Sequence, residues 1–306
     1  MSRSTCGPYS DAFRHLKWGF DDDSDLTIYC IETKSCGFDL GAAPWARDDI
    51  GSMGEILGLD GSSLSALWDF QRNAIHMLDS SAKTGLIIIE DAEDLPGWEY
   101  TFPLRNLLHW HGLSQGCTMV HAGAVGTDNA AAMIVGVGGS GKSTTTIACT
   151  NAGLKMAGDD FILVDPSRDP CVYSLYSTAK LGAQSSAWFK GLHGKQTFDI
   201  GDDFEKNIFF VDALGAGRMC ENLPLRLIVQ LEKTGSKQSE LVPCGAGEIF
   251  RACAANTIGL LPGHRSKTLQ LLAQLSRSVS CCTFRIGTDL DDIGRKMAQK
   301  LEGMAR

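Results

Sequence analysis

Apolar residues in the first third of the chain come in short runs that loops interrupt. Leu26–Ile31 and Leu86–Glu90 have the length and branched-aliphatic content of strands. Between them Leu64, Leu67, Trp68, Phe70, Ile75 and Leu78 recur at spacings that predict an amphipathic helix over Ser63–Leu78, its aromatics turned into a core. From Pro103 the texture changes. Leu104–Leu113 reads as a helix, Met119–Val125 and Ala131–Val135 as strands, and Ser143–Asn151 as a helix that Gly153 ends. A short strand enters Asp159-Asp160 and an apolar one, Phe161–Val164, leaves it. Strands over Leu225–Leu231 and Thr283–Ile286 follow, with helices over Lys267–Arg277 and Asp289–Leu301, the second capped by Thr288 and carrying acids in its first turn. This alternation predicts an α/β protein with two parts: an N-terminal α+β accessory, substrate-facing domain over 1–100, and a catalytic domain over 101–306.

Composition narrows the functional classes. With 306 residues, 43 % of them hydrophobic, the chain can bury a sizeable core. A formal charge of −8 lacks the excess of Lys and Arg that a polyanion ligand demands, so no nucleic-acid partner is expected. No apolar run approaches the roughly 20 residues that span a bilayer, and Met1–Ser10 lacks the pattern of a signal peptide. The expectation is a cytoplasmic protein with no membrane association. The 11 cysteines are odd in number and include no Cys-x-x-Cys, which fits reduced thiols; Cys281-Cys282 reads as the start of a buried strand. Asp21–Asp25 forms an acidic run.

The sharpest chemistry lies at Gly136-Val-Gly138-Gly139-Ser140-Gly141-Lys142-Ser143, which fits G-x-x-x-x-G-K-[ST] without a mismatch, between a predicted strand and a predicted helix. Glycines at these positions let successive backbone N–H groups turn towards phosphate oxygens, and the following helix adds its positive end. In such a loop Lys142 bridges the β- and γ-phosphates, Ser143 ligates Mg²⁺, and Thr144 completes the nucleotide-binding set. The nearby acids allow two readings. Asp165, closing the apolar strand, would hold Mg²⁺ as in a motor or GTPase; Asp159 and Asp160 would instead supply one acid near the metal and one that takes a proton from an incoming hydroxyl.

A wider constellation carries a resemblance. Met119-Val-His121-Ala-Gly-Ala-Val125, the loop beginning 15 residues after His121, and Gly158-Asp159-Asp160 beginning 16 residues after Lys142 stand in an order and spacing similar to those of the HPr kinase/phosphorylase-like serine kinases, whose P-loop fold is related to that of phosphoenolpyruvate carboxykinase. The resemblance implies that Asp160 is the general base, that Asp159 positions metal or phosphate, and that His121 lines the same centre. It implies ATP and Mg²⁺ as cofactors. Three positions depart from the usual pattern: Thr144 where Glu commonly follows the loop Ser, Ala122 after the His, and Phe161 after the Asp pair. These departures, with no phosphorylase-associated segment downstream, point away from HPr as substrate. The chain looks closer to the members that accompany peptide-tailoring systems, including lasso-peptide kinases, where a Ser hydroxyl of a precursor peptide is the acceptor. Lys180, in the weakly polar segment Ser177–Leu181, is the first candidate for a further phosphate contact, ahead of Arg218 and Arg226. His109 and His111 read as ordinary structural residues.

The leading expectation is an ATP-dependent serine kinase acting on a peptide or protein. A nucleotide-responsive regulatory module with slow hydrolysis and a small-molecule kinase are the alternatives. Assembly into a homo-oligomer is left open by the sequence.

Overall fold

The computed structural model describes residues 10–16, 24–59, 62–92, 95, 97–189 and 206–305; Asp21–Asp23 of the acidic run fall outside them. The architecture is mixed α/β, with two sheets and a separate two-stranded ribbon among the described residues.

The first sheet has four strands, β1 (Thr27–Glu32), β2 (Leu64–Asp69), β3 (Ala74–Asp79) and β4 (Thr84–Ile89), in the order β1-β4-β3-β2. The helix expected over Ser63–Leu78 is instead the hairpin of β2 and β3, with Asp69 opposite Ala74. Alternation and turn chemistry decide against the helix. Ala66, Trp68 and Ile75 pack on one side, Leu67, Ala74 and Leu78 on the other, so both faces are buried and the apolar residues lose their period of two to the eye. The turn is set by Asp69, whose Oδ1 accepts from the Gln71 N–H at 2.9 Å, and by Asn73 at φ +48°. The next hairpin uses the same device, with Asp79 accepting from the Ser81 N–H at 2.9 Å and Lys83 at φ +51°.

Helix α1 (Arg105–Ser114) lies on this sheet through Leu107 and Trp110, which share a core with Leu67, Leu78, Ile87 and Ile89. The approach is close because β4 carries Gly85: a Cβ there would stand 2.5 Å from Leu107 Cδ2 and 3.2 Å from Ile28 Cγ1. Trp110 Nε1 donates to the Pro262 carbonyl at 2.8 Å, and His264 Nε2 meets Ser65 Oγ at 2.7 Å, so the C-terminal half of the chain is tied to the first sheet.

The second sheet has nine strands. They are β5 (Thr118–Val120), β6 (Gly123–Gly126), β7 (Ala131–Val135), β8 (Lys155–Gly158), β9 (Ile162–Asp165), β10 (Cys171–Ser174), β13 (Asn222–Lys233), β14 (Glu240–Pro243) and β15 (Ser280–Ile286). β7, β13 and β15 run parallel at its centre, and β7, buried along its whole length, has a continuous apolar sequence. One face is covered by α2 (Lys142–Asn151) and α5 (Leu290–Glu302), packed on Ile134, Val229 and Phe284; the other by α3 (Ala246–Thr257) and α4 (Arg265–Ser278), packed on Met133, Leu225 and Ile228. Residues that alternate along β7 therefore feed two cores. The cap of α5 is Asp289, not Thr288: its Oδ1 accepts from the Asp291 and Asp292 N–H groups at 3.1 and 3.2 Å, and a carboxylate there also suits the helix dipole.

The expected single strand Met119–Val125 is broken at His121-Ala122 into β5 and β6, which take different partners. β5 pairs with β9, ending at Val120 opposite Ile162; β6 pairs with β8, beginning around Ala124 opposite Gly158. Two crossings, 121–123 and 159–161, are thereby brought face to face. The ribbon of β11 (Thr178–Gly182) and β12 (Lys206–Phe210) lies against the second.

Candidate functional site

The loop 136–141 leaves the end of β7 and enters α2 at Lys142. Gly139 at φ +77° and Gly141 at φ +100° adopt left-handed backbone that side chains disfavour, and Gly136 is needed because a Cβ would meet Ser140 Oγ at 2.5 Å. Nothing lies within 4 Å of the Cβ positions of Gly138 and Gly139, so the loop is open on that side. Lys142 is buried, with Nζ donating to the Gly136 carbonyl at 2.7 Å across the loop. α2 is rich in threonine; Thr146 and Thr150 donate back to the Lys142 and Thr146 carbonyls, both at 2.9 Å, which lets polar side chains sit in a buried helix.

The crossings bring His121, Asp159 and Asp160 together beside this helix. At Gly123 a Cβ would stand 2.2 Å from Thr146 Oγ1 and 3.4 Å from the Asp159 carbonyl oxygen, so only glycine lets α2 and the two crossings approach this closely. Asp159 is 1 % exposed; its Oδ2 accepts the Lys180 backbone N–H at 3.1 Å, while Oδ1 is buried with no hydrogen-bond partner among the described residues. Burial first, and the Asp160 charge second, push the Asp159 carboxyl well above the usual carboxylate range; the Lys180 N–H and the nearby Ser143 hydroxyl oppose them.

Asp160 takes different partners. Its Oδ1 lies 3.4 Å from His121 Nε2 and its Oδ2 lies 3.5 Å from Lys180 Nζ. Lys180 is 6 % exposed, and its ammonium sits 3.9 Å from the centre of the Phe102 ring. The His121 ring stacks on Phe161 at 5.1 Å, and its Nδ1 is buried without a partner among the described residues. Lys180 thus serves both acids: its backbone holds Asp159 and its side chain meets Asp160.

The other predicted residues separate cleanly. Asp165 lies at the opposite end of β9 from Asp160, about 16 Å along an extended chain. Its carboxylate is engaged in a turn, accepting from the Ser167 N–H at 2.8 Å and the Ser167 hydroxyl at 3.1 Å. The alternative in which Asp165 joins Ser143 is therefore not what the fold assembles. Arg226, on β13, donates to the Leu225 carbonyl at 3.1 Å, and Arg218 lies in the turn before that strand; among the described residues neither pairs with Asp159 or Asp160. His109 is wholly buried in α1, with neither ring nitrogen hydrogen-bonded among the described residues, and burial lowers its pKa to about 3.

Several residues at the site escaped the sequence reading. Phe102, Phe161 and Tyr176 form an aromatic wall, with ring centres 5.0 and 5.5 Å apart, behind His121 and Lys180. The Arg105 guanidinium lies 5.3 Å from the centre of Phe161 and 4.9 Å from that of Trp98. Buried Glu99 is close by, and desolvation raises its carboxyl to about 7 although the Arg105 charge works against this. The one available signal was the density of aromatic and charged residues in Trp98–Arg105 just ahead of an apolar helix.

The residues fit a nucleotide with its metal. A glycine loop open on one face, a buried lysine and an unpartnered buried oxygen on Asp159 beside Ser143 supply phosphate donors and one metal ligand. Among the described residues no group of three or more His, Cys, Asp or Glu could hold a metal unaided, so an ion here would take its remaining ligands from phosphate and water. No helix among the described residues is long and apolar enough to cross a membrane.

No protein-family model matches the chain, and no curated protein matches it. Among solved structures it is similar to the Hpr(Ser) kinase/phosphatase from Coxiella burnetii, at 11 % identity and a TM-score of 0.32, over 61 % of this chain and 97 % of that one. A likeness of that depth adds nothing to the geometry above.

Proposed function

We propose that this chain is a phosphotransferase that moves the terminal phosphoryl group of ATP to a hydroxyl, with a Ser of a peptide or protein, such as a precursor peptide undergoing tailoring, as acceptor. The observation that carries the reading is the division of labour between adjacent carboxylates: Asp159 accepts the Lys180 main-chain N–H beside the Ser143 hydroxyl, while Asp160 lies against His121 and the Lys180 ammonium. A nucleotide switch needs the first arrangement alone. A kinase needs both, because the acceptor proton must go somewhere as the new O–P bond forms.

ATP with Mg²⁺ would supply the transferable group, held by Gly138, Gly139, Gly141, Lys142, Ser143 and Thr144, with Asp159 as the metal-side acid. Asp160 accepts the hydroxyl proton. His121, 3.4 Å away, orients that carboxylate, and the Lys180 ammonium, 3.5 Å away, adds positive charge where charge builds up on the phosphoryl oxygens.

Asp160→Asn is expected to keep nucleotide binding and to lower transfer by about 10²- to 10⁴-fold, the usual worth of a positioned base. The test is the intact mass of Ser-containing candidate peptides incubated with protein, ATP and Mg²⁺, with nucleotide affinity measured alongside. Phosphate gain that survives the substitution would move the base elsewhere; nucleotide binding with no acceptor modified would favour the regulatory module.

A further inference from the structure

A second recess opens next to the candidate centre, between the first sheet and the start of α1. It is a cavity of about 370 Å³ lined by Trp68, Phe70, Arg72, Trp98, Arg105 and Asn106, among others. Its floor is cationic and aromatic: the Arg72 and Arg105 guanidinium groups lie 5.1 and 4.9 Å from the centre of the Trp98 ring. Arg72 is neutralised by Asp69. Arg105 has buried Glu99 as its charge neighbour, but its buried Nε has no hydrogen-bond partner among the described residues. A flat guanidinium stacked on aromatic rings, with that donor unspent, is suited to a planar anion. Asn106 lines the same cavity, and its covered Oδ1 has no hydrogen-bond partner among the described residues.

We propose that this cavity binds a carboxylate of the phosphate acceptor through Arg105, either the C-terminal carboxylate of a peptide or an acidic side chain a few residues from the accepting Ser. The inference rests on the phosphotransferase reading for its word "acceptor". The geometry selects a carboxylate over a phosphate group. Asp69 stands beside Arg72, so a dianion would meet repulsion that a monoanion largely avoids. The reach is right as well. Contacts of 5.3, 5.1 and 3.4 Å lead from Arg105 through Phe161 and His121 to Asp160, which puts the cavity and the proton acceptor within about 15 Å, the span of four or five extended residues.

The experiment uses the full chain and three acetylated peptides that each contain one Ser. The first ends in a free carboxylate about four residues beyond the Ser, the second is amidated with Glu at that position, and the third is amidated with neither. Dissociation constants come from calorimetry with a non-hydrolysable ATP analogue present. At least one carboxylate peptide is expected to bind about tenfold or more tighter than the neutral one, and which of the two does so identifies the source of the carboxylate. Arg105→Met, which keeps apolar bulk between the rings, is expected to erase that difference and leave the neutral peptide unchanged. Equal affinities in the wild-type protein, no measurable binding of either carboxylate peptide, or a preference that survives Arg105→Met would overturn the assignment. The wild-type comparison decides even if the variant fails to fold. Intact mass of the same peptides after incubation with ATP separates the two readings: a carboxylate preference without phosphate gain sinks the kinase and leaves the binding site, and phosphate gain without preference does the reverse.

Discussion

At the scale of residues, Glu99 is a group whose environment departs far from what its identity implies. Burial lifts its carboxyl from 4.5 to about 7, so in that interval the folded chain holds a proton that the unfolded chain has released. Stability from this group is therefore highest at low pH and falls as pH rises through the window, by at most about 3 kcal/mol for a shift of this size. Glu99→Gln should reduce the slope: urea midpoints of the wild type are expected to drop more between pH 5 and pH 8 than those of the variant, in which Asp159 still contributes a raised carboxyl. Parallel profiles would show that Glu99 is ionised throughout. Glu99 and Arg105 could not have been singled out from the chain, because their environment is built by Trp98 nearby and by Phe161 and Tyr176 far downstream. Lys180 could be, since a lone cation in a small apolar segment needs a buried partner, and the fold supplies two.

At the scale of elements, the chain's own signals were decisive where they were local. The loop, α2, β7 and the two closing helices follow from glycine placement and helical spacing, and the fold puts them close to where those signals said. The hairpin of β2 and β3 was misread because both of its faces are buried, and the Asp69–Asn73 turn was the clue that periodicity overrode. The break at His121-Ala122 had no local mark at all; it arises from pairing with strands about forty residues later. Close packing of elements is equally invisible in sequence until a glycine is weighed. Gly85→Ala is expected to push α1 off the first sheet through Leu107, costing about 1–3 kcal/mol, which chemical denaturation would register; a change under about 0.5 kcal/mol would mean that α1 yields freely.

At the scale of the whole molecule, the first sheet is more than an attachment. α1 presents Leu107 and Trp110 to it, and Trp110 and Ser65 are bonded to the chain near 262–264. A fragment beginning at residue 101 would expose those side chains, so it should elute as aggregate in size-exclusion chromatography while the full chain does not; a monodisperse, cooperatively melting fragment would show that the sheet is dispensable. The same connectedness reaches the candidate centre through Lys180. Its main chain is bound to one carboxylate and its side chain to the next, so the two acids share a single mechanical input: a sliding of β11 by a fraction of an ångström loosens the grip on both together. Such a centre has one lever instead of two, and its metal side and its proton side cannot be detuned independently by movement of that strand.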